Sequence, residues 1–284
     1  MSVPLVGAVD TAVVGHLPDP VYIGAVALGA VIFNFLFWGF GFLRMGTTGF
    51  VAQAYGNGDA TEMRSTLARG LLLAGGLGLA IVMLQIPIGA IAFWAFEGGR
   101  ELESVAASYY DIRVWSAPAA LANYVLLGWL IGIQNTRAAL LLQLVLNLCN
   151  VMLDLVFVMG FGWGVPGVAL ASLLSEAIAL VVGLWVVRTD LQRLGGTWNR
   201  DHILYGPRVR ALLHVNINIF VRTVCLIVAF FYFTAMGTRL GEITLAANAV
   251  LLHLHYFVSY GLDGFAHAAS ALAGGAYEIG RAHV

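Results

Sequence analysis

The chain has 284 residues, of which 60% are apolar and 10% are charged, and its formal net charge is −1; a soluble domain carries roughly 25% charged residues. With a mean hydropathy of +0.88 it lacks the polar surface that a water-soluble globule needs, so its solvent is a lipid bilayer, and nothing in its charge calls for nucleic acid. All 14 basic residues are arginine, which rules out a Walker-type lysine and a Schiff base to retinal or pyridoxal phosphate; no cofactor is expected.

About 20 apolar residues cross the hydrocarbon core as a helix. The first apolar stretch, Val3 to Leu17, is too short to span unaided. It reads as the outer part of a first helix whose beginning is missing. It does not read as a signal peptide, since it has no basic n-region and Asp10 interrupts it. Seven full spans are predicted after it, at 22–46, 67–94, 105–133, 139–160, 166–188, 210–236 and 243–270. Counting the stub as the first, these are spans two to eight. Loops rich in Pro, Gly and charge separate them, such as Tyr55-Gly56-Asn57-Gly58-Asp59 and Gly195-Gly196-Thr197-Trp198-Asn199-Arg200. Gly128 and Gly132 form a small-xxx-small pair suited to close helix contact. Cys149 and Cys225 lie in apolar runs and read as packing residues.

Arginines set the predicted orientation. Arg64, Arg69, Arg137, Arg188, Arg193, Arg200, Arg208 and Arg210 fall in loops after even-numbered spans, against Arg100 and Arg239 on the other side. Even-numbered spans therefore end in the cytoplasm. An internal repeat at an offset of 222 residues pairs Gly15 with Gly237, Ala25 with Ala247, Phe35 with Phe257 and Gly39 with Gly261. Six spans lie within that offset, so the second copy returns in the same orientation, as a parallel repeat. The fold class expected is an all-α, polytopic helical bundle. It comprises a six-helix lobe over 1–190, a cytoplasmic linker over 191–209 and the first two helices of a second lobe over 210–284, about four helices short of a complete one.

A carboxylate in the hydrocarbon region costs about 2.5–3.5 kcal/mol on insertion scales, so buried acids are functional candidates. Asp10 lies about 10 Å below the predicted outer surface at 1.5 Å per residue. Asp154, six residues before Gly160, and Ser172, six after Pro166, share that depth on two other helices. Asn147, Asn150 and Asp154 form one stripe at i, i+3 and i+7, and Ser172 and Glu176 a second. Such oxygens converging in a dry bundle can hold a proton or a small hard cation, or serve only to bond helices together. Arg222 and Asp263 are further intramembrane charges, candidates for pairing with each other or with helices not present. His253 and His255 have the wrong spacing for a shared helical face, and no metal motif or nucleophile elbow is present, so no metal is expected beyond Na+ at the acidic cluster.

Several strings resemble the multidrug and toxic compound extrusion (MATE) transporters, in particular the DinF-like branch. They are Val9-Asp10-Thr11-Ala12-Val13-Val14-Gly15-His16-Leu17, Phe37-Trp38-Gly39-Phe40-Gly41-Phe42-Leu43-Arg44-Met45-Gly46-Thr47-Thr48-Gly49 with Ala52-Gln53, Arg222-Thr223, and Tyr260-Gly261-Leu262-Asp263-Gly264-Phe265-Ala266-His267-Ala268. The resemblance implies a twelve-helix, multi-pass inner-membrane protein of two lobes, monomeric when full-length. Such a protein exports small organic compounds by alternating access, driven by inward H+ or Na+ flux. It also implies that Asp10 is the first-helix coupling carboxylate, that Asn150 and Asp154 are the fifth-helix pair, and that Ser172 is the sixth-helix hydroxyl. The rival readings are a flippase for lipid-linked cargo, which calls for a more basic cavity, an inactive fragment of a transporter, and an intramembrane enzyme or structural subunit.

Overall fold

A computed structural model describes residues 20–96 and 99–239, together with positions 13 and 15 and part of 251–276. Among the described residues every regular element is a helix. Six helical stretches are long and apolar enough to cross a membrane: Val21–Gly56, Ala60–Met83, Arg100–Gly132, Thr136–Gly160, Gly164–Leu194 and Arg200–Phe230. They match the six predicted spans from 22–46 to 210–236. The span predicted over 243–270, the second copy of the repeat over 240–250, and Asp10 lie wholly or partly outside the described residues.

The first long stretch is two helices, α1 (Pro20–Gly39) and α2 (Phe42–Gly56). The chain tightens between them, with Phe40 N bonded to Phe37 O and Gly41 N to Trp38 O. Gly58, at φ +67°, makes the turn that follows, in a left-handed conformation costly for any residue with a Cβ. The Asp59 side chain then accepts from Glu62 N at 2.9 Å and caps α3 (Ala60–Met83).

Here the structure corrects the sequence reading, which left Arg64 and Arg69 in a loop: both lie in the opening turns of α3 and are buried. Pro87 has no N–H to give Met83, so the span breaks at Leu84 and resumes as α4 (Gln85–Phe96).

The third span is α5 (Arg100–Arg113), a tight turn over Val114–Ser116, and α6 (Ala117–Gly132). Pro118 sits in the first turn of α6, where its missing N–H removes no intrahelical bond. Next come α7 (Thr136–Asp154), which widens into a π-helical turn over Leu155–Gly160, and α8 (Gly164–Leu194). A short α9 (Arg200–Ile203) leads to α10 (Gly206–Arg239).

Helix α6 is the axis of the packing, with Leu121, Val125, Leu126, Trp129 and Leu130 all fully buried. Its predicted glycine pair lies against α2. A Cβ at Gly128 would stand 2.5 Å from Arg44 O, and one at Gly132 would stand 2.7 Å from Val51 Cβ. Thr48 Oγ1 uses that proximity to donate to Gly128 O at 3.1 Å. Tyr109 of α5 lies over Gly29 of α1 in the same manner.

Apolar side chains facing outward are equally telling. Ile86, Trp94, Val181 and Trp185 are each about two-thirds or more exposed, an arrangement stable in acyl chains but not in water.

Candidate functional site: a polar chamber inside the bundle

Four helices, α5 to α8, bring the chamber together. On α7 the i, i+4 spacing puts Asn150 and Asp154 on one face, and both are buried, at 1% and 0% exposure. On α8 Ser172 is buried and Glu176 half-buried one turn further on. Asn150 Nδ2 donates to Ser172 Oγ across the helix pair at a long 3.4 Å. Its Oδ1, buried, has no hydrogen-bond partner among the described residues. The π-helical turn that begins at Leu155 follows Asp154 directly; such turns are frequent at functional sites because they re-aim side chains.

The third contributor is one that reading by residue type passed over. Arg113, at the end of α5, donates from Nη1 to Ser172 Oγ at 2.7 Å and to Tyr109 Oη. Its guanidinium lies 5.4 Å from the ring centre of Phe33 and 5.5 Å from that of Tyr109, within cation–π range. Below it, Asn123 of α6 donates to Glu176 Oε2 at 2.7 Å and to Glu176 O at 3.0 Å. Electrostatic coupling extends from Arg113 to Glu176 and to Tyr124. The signal for Arg113 was in the sequence, as the one basic residue within the apolar span 105–133. Asn123 gave none, since an amide inside a span is usually interhelical glue.

The remaining predicted residues have other partners or surroundings, or lie outside the described residues. Asn147 is half-buried and accepts from Gln143 Nε2 along its own helix at 3.4 Å. Arg222 is exposed and approaches Met45 Sδ at 3.7 Å, while Asp263 is exposed too. The two are not ion-paired with each other; the ion pairs among the described residues are Arg69–Glu62 and Arg193–Asp190. Asp10 lies outside the described residues. No group of three or more His, Cys, Asp or Glu suited to a metal occurs among them.

A second polar assembly stands at the arginine-rich end. Arg69 pairs with Glu62 at 2.7 Å and donates to the carbonyls of Ile203 at 2.9 Å and His202. Arg64 reaches Gly195 O at 2.6 Å and Leu191 O, with Trp198 stacked 5.3 Å away. A cavity of about 320 Å³ opens beside it, lined by Gln53, Asn57, Asp59, Glu62 and Arg208 among others. Arg64, Arg69 and Glu62 are engaged with one another or with backbone, so this end reads as a fastening.

The helical bundle carries amides, carboxylates and an arginine within its spans, and a MatE family model matches residues 1–156, more than half of the chain. The chain belongs to that family, whose members are transporters and not enzymes. Among its relatives, DNA damage-inducible protein F of Escherichia coli (strain K12) is 44% identical over 277 residues, covering 98% of this chain and 60% of that protein. Protein DETOXIFICATION 44, chloroplastic, of Arabidopsis thaliana is 25% identical over 295 residues, covering 98% of this chain and 54% of that protein. In fold the chain is similar to a crystal structure of MATE in the bent conformation, with a TM-score of 0.87, 21% identity, and coverage of 98% of this chain and 62% of the other. The chain thus spans about 60% of the length of the first of these relatives. It is a multi-pass membrane protein, and in a bacterium that membrane is the inner one.

Proposed function

We propose that this chain supplies the ion-coupling lobe of an antiporter that exports small organic compounds in exchange for H+ or Na+. In this reading residues 1–190 form one six-helix lobe, 191–209 a cytoplasmic linker, and 210–284 the opening helices of a second, parallel lobe; the complete transporter acts as a monomer by alternating access. The observation that carries it is the buried contact between α7 and α8, where Asn150 meets Ser172 one turn from the fully buried Asp154. Burying an acid and two polar side chains costs free energy that an apolar pair would not, so a bundle that retains them gains something other than stability. Asp10 completes the set as the first-helix carboxylate. Neutralising these acids by a cation favours one arrangement of the helices and recharging favours the other, and a ligand shifts such an equilibrium only through its different affinities for the two states.

The test is dye accumulation in inverted vesicles from cells producing the complete transporter, with a fluorescent organic cation and an imposed H+ or Na+ gradient. Gradient-driven uptake is expected, with Asp10→Asn and Asp154→Asn each lowering it by about tenfold or more, the size typical of losing an essential proton acceptor. Wild-type uptake by both variants would overturn the coupling role.

A further inference from the structure

We infer that the corner where α7 begins and α8 ends is a binding site for an anionic phospholipid: Arg137, Arg188 and Arg193 hold the headgroup phosphate, and the exposed apolar faces of the two helices carry the acyl chains.

One hydrogen bond defines the corner. Asn135, the residue that caps α7, donates from Nδ2 to Asp190 Oδ2 of α8 at 2.8 Å. Arg137 stands two positions after Asn135, Arg188 two before Asp190 and Arg193 three after it. The bond therefore brings three arginines from two helices to one place, and all three are exposed. Asp190 does not cancel them. It is buried, gives one oxygen to Asn135, and holds the other 4.0 Å from Arg193, at the limit of an ion pair. Arg137 and Arg188 have no ion pair among the described residues. Three positive charges stand against one buried carboxylate.

Below the arginines the helix surfaces suit acyl chains. On α8 Leu174, Ile178, Val181, Trp185 and Arg188 follow one another at steps of four or three residues, which puts them on one face, and each is exposed. On α7 Arg137, Leu141, Leu144 and Leu148 form a stripe of the same kind, again exposed. The two helices pack along each other and run in opposite directions, so both stripes carry their arginine at the same end. Trp185 lies three residues, about 4.5 Å, below Arg188. An indole at that depth meets the boundary between headgroup and acyl chain when the guanidinium reaches the phosphates.

Membrane topology by itself does not require this arrangement. A bias of arginine toward one side needs only that the charges lie near the ends of the spans; it does not set them at the head of two exposed apolar stripes. Guanidinium forks match phosphate oxygens in pairs, and a phospholipid of net negative charge satisfies both halves of the surface together. A zwitterionic lipid brings an ammonium that the same arginines repel, and a free phosphate leaves the apolar stripes without a partner. Helix α10, with which the second lobe opens, packs against α2 and α1, a contact that leaves this corner uncovered.

The experiment is native mass spectrometry of the complete transporter in detergent with an equimolar mixture of phosphatidylglycerol and phosphatidylcholine, where the ratio of the two adducts reads preference. A basic side chain near the membrane surface contributes about fivefold to anionic-lipid binding. Wild type is expected to retain phosphatidylglycerol preferentially. Arg137→Gln, Arg188→Gln and Arg193→Gln should each lower the preference about fivefold, and the triple variant on the order of a hundredfold. Arg188→Lys keeps the charge and should keep most of the preference, while Arg100→Gln, at the opposite end of the bundle, should leave it unchanged. A second measurement leaves the arginines intact. The fluorescence lost in Trp185→Phe should be quenched more by brominated phosphatidylglycerol than by the same share of brominated phosphatidylcholine. Inorganic phosphate is expected to displace no more lipid than sodium chloride of equal ionic strength.

Equal retention of the two lipids by wild type, equal quenching by their brominated forms, or a correctly folded triple variant with the wild-type preference overturns the proposal. Displacement of the lipid by inorganic phosphate would make the corner a free-anion site and overturn the lipid assignment.

Discussion

Single side chains in this bundle are constrained by their nearest partners more than by their type. Asn123 shows it: its amide nitrogen donates twice to Glu176, once to the carboxylate and once to the backbone. Asn123→Leu would leave Glu176 half-buried without its amide donor, at a cost of about 1–3 kcal/mol for the orphaned acceptor. A lower thermal midpoint in detergent, restored by Asn123→Leu/Glu176→Met, is the expected result. Gly29 is bound by contact of another kind, since a Cβ there would run into the Tyr109 ring. Gly29→Val is expected to cost about 1–3 kcal/mol of overpacking and to shift Arg113, which leans on the same ring; thermal unfolding in detergent reads the first effect.

Helix against helix, the binding contacts are close backbone approaches and charged fastenings. Gly78 of α3 meets Pro118 of α6 so tightly that a Cβ would stand 2.5 Å from Pro118 Cα. Backbone cannot yield as a side chain can, so Gly78→Ala should destabilise more than an alanine at Gly75 or Gly76, where nothing lies within 4 Å; the pair-wise difference in thermal midpoint is the readout. At the arginine-rich end, α3 grips the stretch that leads into α10. Arg69→Met would strand Glu62 without its cation, at a cost of about 3–5 kcal/mol for a broken buried pair. Glu62→Gln/Arg69→Met should recover most of it. Arg64→Ala releases charge-assisted bonds to Gly195 and Leu191, each worth roughly 1.5–3 kcal/mol. Trypsin should then cut after the exposed Arg200 about tenfold faster, because cleavage follows the population of the opened segment. A cleavage rate equal to wild type would show that Arg64 does not hold this segment.

For the molecule as a whole, the sorting of aromatic residues between core and periphery states what surrounds it. Trp129 is fully buried and donates to Met63 O at 3.0 Å, whereas Trp94 and Trp185 are 79% and 69% exposed. In bilayers with brominated acyl chains, single-tryptophan variants should show strong quenching at Trp94 and Trp185 and little at Trp129. Equal quenching at all three would mean that the apolar exterior is not the lipid-facing surface. The same geometry buries Asn150, Asp154 and Ser172 inside the bundle, where each hydrogen bond and charge weighs more than it would in water.

Composition and pattern alone determined that the chain lives in lipid, where its long helices fall between residues 22 and 236, and that Gly128 and Gly132 sit at a close helix contact. These follow from local and periodic properties: hydropathy over a span, punctuation by Pro and Gly, and small residues four apart. The family motifs were legible too, and through them Asn150, Asp154 and Ser172. Tertiary structure alone decided which polar residues converge. Arg113 and Ser172 are 59 positions apart and Asn123 and Glu176 are 53 apart, and no periodicity along one helix encodes such a meeting. It also gave Asn147 a partner on its own helix, Gln143, and turned Arg64 and Arg69 from loop charges into buried clasps, because burial depends on which neighbours the fold supplies.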